Sequence, residues 1–286
     1  MHDTLTGSAP AKINLVLEVL GRRKDGYHEI RTVIQKVDLC DTVTLAWDRD
    51  PGITVVGPAA RGTPATRDNL AWRAVETLRD LAGMRLPLPH IAIEKSIPAA
   101  SGLGGGASDA ATALRLVARA WDIDDESMLA RAANAVGSDE AFFLGGATAL
   151  VSGRGETVTP CSPLPHHGVV LFIPRETLPN KTATLFALLS QQPFDDGDRC
   201  RTFVEEHPAQ ISVRNTFNAF ERVAFETFGG LGAVRDALAD AIGDNVRLSG
   251  AGPALFWIGP RQQAAAVASR ASDVSGIDVV VCQTLT

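Results

Sequence analysis

Pro98-Ala99-Ala100-Ser101-Gly102-Leu103-Gly104-Gly105-Gly106-Ala107-Ser108-Asp109 is the stretch that decides how this 286-residue chain is read. Before it, His90-Ile91-Ala92-Ile93 alternates with the period of a strand. After it, Ala107, Ala110, Ala111, Leu114, Val117, Ala118 and Trp121 recur with the period of a helix buried on one face. Glycines at such a junction let the backbone take positive φ angles and bring its N–H groups close to a ligand. The start of the helix adds unpaired donors and the positive end of a macrodipole, so the pattern reads as a phosphate site.

Other readings fit parts of the same stretch. Gly102-Leu103-Gly104-Gly105-Gly106-Ala107 matches the loose dinucleotide pattern G-x-G-x-x-(G/A), which needs a second strand ending in an acid about 20 residues on. Here the helix runs into Asp122-Ile123-Asp124-Asp125-Glu126 and then another helical pattern, so that strand is missing. A P-loop needs Gly-Lys-Ser/Thr after the glycines, and the chain has none. The bland alternative is a flexible loop leading into a helix. The stretch indicates phosphate without indicating a reaction.

A hydrophobic content of 45% and a net charge of −6 describe a soluble globular chain with room for one large or two medium domains. The acidic balance argues against a nucleic-acid surface, and Arg22-Arg23-Lys24 is short enough to be a solvated hairpin tip. The four cysteines, Cys40, Cys161, Cys200 and Cys282, are scattered without C-x-x-C spacing, as expected of reduced thiols in a cytoplasmic protein. Met1-His2-Asp3-Thr4 carries no signal-peptide pattern, and no apolar run is long enough to cross a membrane.

Strand patterns cover Ala11–Val19, Thr32–Val37, Asp41–Trp47 and Ile53–Val56. Asp68-Asn69 starts a helix whose apolar face is Leu70, Ala71, Ala74, Val75, Leu78, Leu81 and Ala82, stopped by Gly83. A helix is predicted over Ser127–Val136, followed by Gly137-Ser138-Asp139-Glu140 directly before Phe142-Phe143. Ionised acids avoid apolar company unless paired, which makes that junction unusual. Strands then flank Ser152-Gly153-Arg154-Gly155, and Pro160, Pro163 and Pro165 mark a domain boundary, giving domains 1–160 and 161–286. Beyond lie a strand at Val169–Ile173, a helix from about Thr182, the acidic linker Asp195–Asp198, and helical segments over Val213–Phe228 and Leu231–Ile242. The strands 246–248 and 254–258, a helix over 262–271 and a strand over 278–282 complete an α+β, two-lobed pattern.

Pro10-Ala11-Lys12-Ile13-Asn14-Leu15, the glycine stretch and Leu248-Ser249-Gly250-Ala251-Gly252 occur in an order that resembles the GHMP kinase superfamily. Asp25-Gly26-Tyr27-His28, Asp68-Asn69-Leu70, the triple glycine and Gly137-Ser138-Asp139 before a Phe pair narrow the resemblance. They are similar to the branch that phosphorylates 4-diphosphocytidyl-2-C-methyl-D-erythritol, in the non-mevalonate route to isoprenoid precursors. The resemblance spans about residues 9 to 257 and implies a two-lobed fold, with a ribosomal protein S5 domain 2-like N-terminal lobe and a ferredoxin-like C-terminal lobe. It also implies ATP and Mg²⁺ as cofactors and transfer of the γ-phosphoryl group to an acceptor hydroxyl.

By this resemblance Asp139 is the general base and Lys12 its partner; a nearby cation keeps a carboxylate ionised and steadies developing phosphoryl charge. Asn69, Leu70, Lys95, Pro98, Ser101, Gly102, Leu103, Gly104, Gly105, Gly106, Ala107 and Ser108 are implied to hold the nucleotide. Asn14, Tyr27, His28, Thr182 and Gly250 are implied on the acceptor side, with Tyr27, the one tyrosine of the chain, and His28 at the cytidine end. Residue by residue, plainer readings exist: Lys12 as a strand-end surface lysine, Asp139 as a helix N-cap, Tyr27 as an ordinary strand-start aromatic, Leu70 as core.

The chain departs from the family pattern at three points. Ala107 removes a hydroxyl from the loop, Asp109 puts an acid near the anion site, and Glu140-Ala141 follows Asp139 where a hydrophobic residue and proline are usual. No residue stands out as a metal ligand, since Mg²⁺ keeps waters and leans on substrate phosphates. Three alternatives remain: a sister kinase acting on another small alcohol such as mevalonate or homoserine, a nucleotide-binding protein without turnover, and a nicotinamide oxidoreductase. Asp25-Gly26-Tyr27-His28 separates the first, turnover the second and the missing strand the third.

Overall fold

The computed structural model describes residues 4–175 and 180–286. Met1–Asp3, part of the N-terminus read above, lie outside the described residues. In chain order the elements begin with β1 (Thr4–Arg22), β2 (His28–Ala46), β3 (Gly52–Val56), α1 (Leu70–Ala82) and β4 (His90–Glu94). There follow α2 (Gly105–Ala120), α3 (Glu126–Val136), α4 (Glu140–Leu144), β5 (Thr148–Gly153), β6 (Thr157–Pro160) and β7 (Gly168–Pro174). Next come α5 (Lys181–Leu189), α6 (Asp198–Glu206), β8 (Phe217–Asn218), α7 (Glu221–Thr227) and α8 (Gly229–Ile242). The chain closes with β9 (Arg247–Leu248), β10 (Leu255–Gly259), α9 (Ala264–Ala271) and β11 (Ile277–Gln283).

Two compact units emerge, and neither is a single run of chain. The first takes the chain up to Ala11, Leu39–Ala99 and Gly104–Gly146; the second takes Lys12–Asp38, Ala100–Leu103 and Ala147–Thr286. Residues 12–38 and 147–160, which lie before the proline-marked boundary at 160, thus group with the C-terminal stretch.

In the first unit the end of β2 (Thr42–Ala46) pairs antiparallel with β4, and β4 pairs parallel with β3. Val43, Leu45, Ile91 and Ile93 from these strands meet Trp72, Val75 and Leu78 of α1, Leu114 and Val117 of α2, and Leu129 of α3 in one buried core. Each such aliphatic side chain contributes about 1.5–3 kcal/mol by leaving water. The α1 ends are as read: Asn69 caps its N-terminus and Gly83, at φ 65°, closes it in the left-handed region.

In the second unit the first half of β2 pairs antiparallel with β5, β5 with β6, and β1 pairs parallel with β8 at Val16↔Phe217 and Leu17↔Asn218. A separate antiparallel sheet has the order β11-β7-β10-β9, with α5–α8 and α9 on its crossovers. This is the fourth-first-third-second order of a βαββαβ unit, the ferredoxin-like arrangement expected for the C-terminal part.

The structure corrects several predicted elements. Thr32–Val37 and Asp41–Ala46 belong to one continuous β2, which stops one residue short of the predicted Trp47, because the polar interruption at Asp38 falls on an exposed position of the strand. The single helix predicted over 213–228 is instead a 3₁₀ turn at Val213–Asn215, the short β8 and α7. Asn218 breaks the helical pattern there: its amide is tied to the carbonyls of Leu248 and Gly250. The linker at 195–198 ends in α6, which starts from Gly197 at φ 83°. Among the described residues no helix is long and apolar enough to cross a membrane.

Candidate active site

Side-chain direction on β1 builds one part of the site. Lys12, Asn14 and Val16 share a strand face, because side chains alternate with period two. The Lys12 ammonium donates to Asn14 Oδ1 at 2.8 Å, Asn14 Nδ2 donates to Thr32 Oγ1 at 2.9 Å, and Thr32 Oγ1 donates to the Val16 carbonyl at 2.7 Å. Lys12 is 4% exposed, so the surface-lysine reading does not hold. Gly250, at φ +54°, lies against this pair; a Cβ there would stand 3.2 Å from Lys12 Nζ and 3.4 Å from Asn14 Oδ1. Asn218, which the sequence reading missed, fixes that glycine by donating to its carbonyl at 2.8 Å. A polar residue inside the apolar run Phe217–Phe220 was the available signal.

The glycine stretch alternates as a phosphate loop must. Ala100, Gly102 and Gly104 all have positive φ (53°, 89° and 73°), a pattern that turns successive N–H groups toward a common point. Ala100–Leu103 is tied within the second unit. Ser101 O accepts from Ala254 N at 2.9 Å, Gly102 O from Ser249 Oγ at 3.0 Å, and Leu103 O from Lys12 N at 2.9 Å. A Cβ on Gly102 would fall 2.2 Å from the Ser249 carbonyl, so no other residue fits.

Within the first unit the stretch runs from Pro98-Ala99 to Gly104 and α2. Gly104 gives α2 no side-chain cap, leaving the first-turn amides of a 16-residue helix for a ligand. Gly106 is exposed beside Leu70, whose Cδ1 would be 3.4 Å from an added Cβ. Leu70 is therefore both half-core and part of the loop wall. Ala107 and Ser108 are buried, and the Ser108 hydroxyl has no partner among the described residues.

Two residues expected to hold nucleotide are engaged elsewhere. Asn69 is buried, with Oδ1 accepting from Ala71 N at 2.9 Å and Nδ2 donating to Pro64 O at 2.7 Å. The Lys95 ammonium is 1% exposed and ion-paired to Asp41 and Asp109, the latter at 2.6 Å. Its ammonium therefore faces two carboxylates. The same pairing corrects the concern over Asp109: this acid is sealed beneath the loop, where burial lifts its carboxyl to about 7 against the pull of Lys95.

Asp139 occupies the N-cap position of α4, yet its carboxylate makes no capping bond and is half-buried. Glu140 is 1% exposed, with its carboxylate against Gly137, where a Cβ would stand 2.3 Å from both oxygens. Burial, and then Asp139, raise Glu140 to about 7, against hydrogen bonds from the backbone N–H groups of 139 and 140.

Tyr27 is 52% exposed, with the Arg154 guanidinium 5.2 Å above its ring. His28 stacks on Phe186 at 4.4 Å and 12°, and its Nε2 lies 2.8 Å from Ser190 Oγ. Desolvation, then Arg22, hold the His28 imidazole below its ordinary value, hence neutral at pH 7. Phe186 sits on α5, as does the exposed Thr182, and Ser190 caps the C-terminal end of that helix. Lys181 opens the same helix, and burial, followed by repulsion from Lys12, lowers its ammonium to about 8. Phe186, Ser190 and Lys181 were not identified from sequence; they follow a pattern that marked only a helix.

Comparison with known proteins shows the family. Residues 69–147 match the GHMP kinases N terminal domain. The 4-diphosphocytidyl-2-C-methyl-D-erythritol kinase of Dehalococcoides mccartyi is 39% identical over 257 residues, 89% of each chain. A crystal structure of 4-(cytidine 5'-diphospho)-2C-methyl-D-erythritol kinase superposes with a TM-score of 0.78 at 29% identity, covering 99% of this chain and 100% of that one. Homoserine kinase from Cytophaga hutchinsonii shares the fold, with a TM-score of 0.74 at 17% identity, covering 100% of this chain and 96% of that one. The chain thus belongs to the 4-diphosphocytidyl-2-C-methyl-D-erythritol kinase family, within the GHMP kinases.

Proposed function

We propose that this chain transfers the γ-phosphoryl group of ATP to a hydroxyl of 4-diphosphocytidyl-2-C-methyl-D-erythritol, a step toward isoprenoid precursors. The observation that carries the reading is the uncapped, left-handed-alternating glycine stretch entering α2. The acceptor oxygen attacks the γ-phosphorus in line, the bond from phosphorus to the β,γ-bridging oxygen breaks, and ADP leaves. Asp139 takes the hydroxyl proton. Lys12, oriented by Asn14, stabilises charge on the transferred group. The amides of Gly102–Ser108 cradle the phosphates, with Pro98, Ser101 and Leu70 shaping the loop, while Asn69 and Lys95 act from beneath.

Among the described residues no group of three or more His, Cys, Asp or Glu side chains is placed to hold a metal ion. Mg²⁺ enters this reading as a companion of the ATP phosphates. On the acceptor side Tyr27, His28 and Phe186 offer aromatic faces for cytosine, and Gly250 leaves room beside Lys12 for the reacting end. Lys181 and Thr182 lie on the helix that carries Phe186. A division of labour between an ATP side and an acceptor side belongs to the same proposal, with Lys12–Asp38 grouping with the C-terminal stretch rather than with all of residues 1–160; so does a cytoplasmic location, supported by four free cysteines.

ADP release with ATP and Mg²⁺ against 4-diphosphocytidyl-2-C-methyl-D-erythritol, mevalonate, homoserine and galactose tests the reading. Turnover with the cytidylylated acceptor alone is the expected result. Turnover with another acceptor would keep the Lys12–Asp139 chemistry and remove the cytidine pocket; none with any, in protein that binds ATP, would leave a nucleotide-binding protein.

A further inference from the structure

Three buried ionisable side chains of the first unit touch no ligand in the mechanism above, and they join both ends of the glycine stretch. Asp41, on β2, accepts from the amides of Ser96 and Ile97 through Oδ1, at 2.5 and 2.8 Å, where the chain leaves β4 toward Pro98. Its other oxygen meets the Lys95 ammonium. Lys95 reaches on to Asp109, one turn into α2, at 2.6 Å. The ammonium also lies under Gly105, the first residue of α2, where an added Cβ would stand 3.2 Å from Nζ and 2.9 Å from Ile97 Cγ2. All three side chains are at most 1% exposed.

We propose that Asp41, Lys95 and Asp109 form a clamp that fixes the separation and direction of the two ends of the glycine stretch, and so position its amides for ATP. They are positioning residues, acting through Ser96, Ile97 and Gly105. A glycine stretch is costly to order, since glycine loses more freedom than any other residue on becoming fixed. Tying its first and last residues to one buried cluster places that ordering in the folded protein, before the nucleotide arrives. The cluster's charge suits the task. An isolated lysine under a helix N-terminus would oppose the macrodipole, and the carboxylates offset it. Because burial favours a proton on Asp109, the cluster does not present an excess anion beneath the phosphates. The ion pairs are an expensive way to fill a core, which argues for a role beyond stability.

The proposal rests on the reading of the glycine stretch as an ATP site, so binding of ATP is measured directly by calorimetry, without acceptor. Wild-type protein, Lys95→Met, Asp109→Ala and Asp109→Asn are compared, each checked for folding by thermal melting. Lys95→Met and Asp109→Ala are expected to weaken ATP about tenfold or more, as displaced positioning groups do. In turnover they raise KM for ATP with KM for the acceptor little changed. Asp109→Asn, which keeps the shape and an oxygen facing Lys95, is expected to restore ATP affinity to near wild type. Folded Lys95→Met or Asp109→Ala with wild-type ATP affinity would overturn the clamp, leaving the cluster purely structural. If Lys95→Met does not fold, the Ala–Asn comparison at 109 decides alone. Wild-type protein that does not bind ATP would overturn the ATP reading itself.

Discussion

A carboxylate at a helix start ordinarily caps the helix, and Asp139 does not. Its proposed role as base makes a sharp prediction. Asp139→Asn keeps the shape and removes proton acceptance, so kcat should fall by about a hundredfold or more with KM for ATP nearly unchanged. Steady-state kinetics on the two substrates separates these, and a near-normal kcat would remove Asp139 from the mechanism. Lys12 and Asp139 were singled out because a motif marked them. Lys95 was legible only as a position, since a sequence does not say that two acids 54 residues before and 14 after it will enclose its ammonium. Glu140 stood out as an anomaly and remains one in the structure: an acid held against Gly137 where the family pattern has an apolar residue.

At the scale of elements, local signals were read best where a backbone group and a side chain satisfy each other nearby. Asn69 and Gly83 bracket α1 as expected. Replacing Asn69 with Ala removes two buried bonds, one of them the cap, and should cost about 1–2 kcal/mol, read as a lowered Tm. The error at 213–228 arose where periodicity was present but Asn218 answers carbonyls 30 and 32 residues away, a demand no local pattern reveals. The hairpin tip and α5 act together, since His28 of one stacks on Phe186 of the other. Tyr27→Ala combined with His28→Ala should raise KM for the cytidylylated acceptor at least about tenfold, from the loss of two aromatic contacts of about 1–3 kcal/mol each. KM for ATP should stay within about twofold, because the glycine stretch is untouched. An equal rise in both constants would mean that the tip serves folding and not cytosine.

For the molecule as a whole, Asp109 and Glu140, the two buried acids of the first unit whose carboxyls are pushed up, shape how stability varies with pH. Asp109 and Glu140 are each raised to about 7 from ordinary values near 4, so the folded chain holds these protons more tightly than the unfolded one. Their contribution is fully present below pH 4 and is lost as pH rises through 7, with Glu140 alone worth on the order of 3 kcal/mol across that span. Thermal melting between pH 5 and 8 should show Tm falling, and Glu140→Gln should flatten the slope; an unchanged slope would show that Glu140 does not hold its proton. The ferredoxin-like order of the second sheet was implied by the family resemblance, and the α+β class was legible from the run of elements. The interleaving of the units was not, because pairings such as Val16↔Phe217 leave no trace in either stretch. That interleaving reaches back to synthesis. The second unit needs Lys12–Asp38 early and Ala147–Thr286 late, and Gln35 is bonded to Leu285. At about 5–20 residues per second, β1 waits on the order of ten to forty seconds for β8 to leave the ribosome. During that interval one edge of β1 lies open to neighbouring nascent chains, so expression yield should respond to chaperone supply more than the finished protein's stability implies.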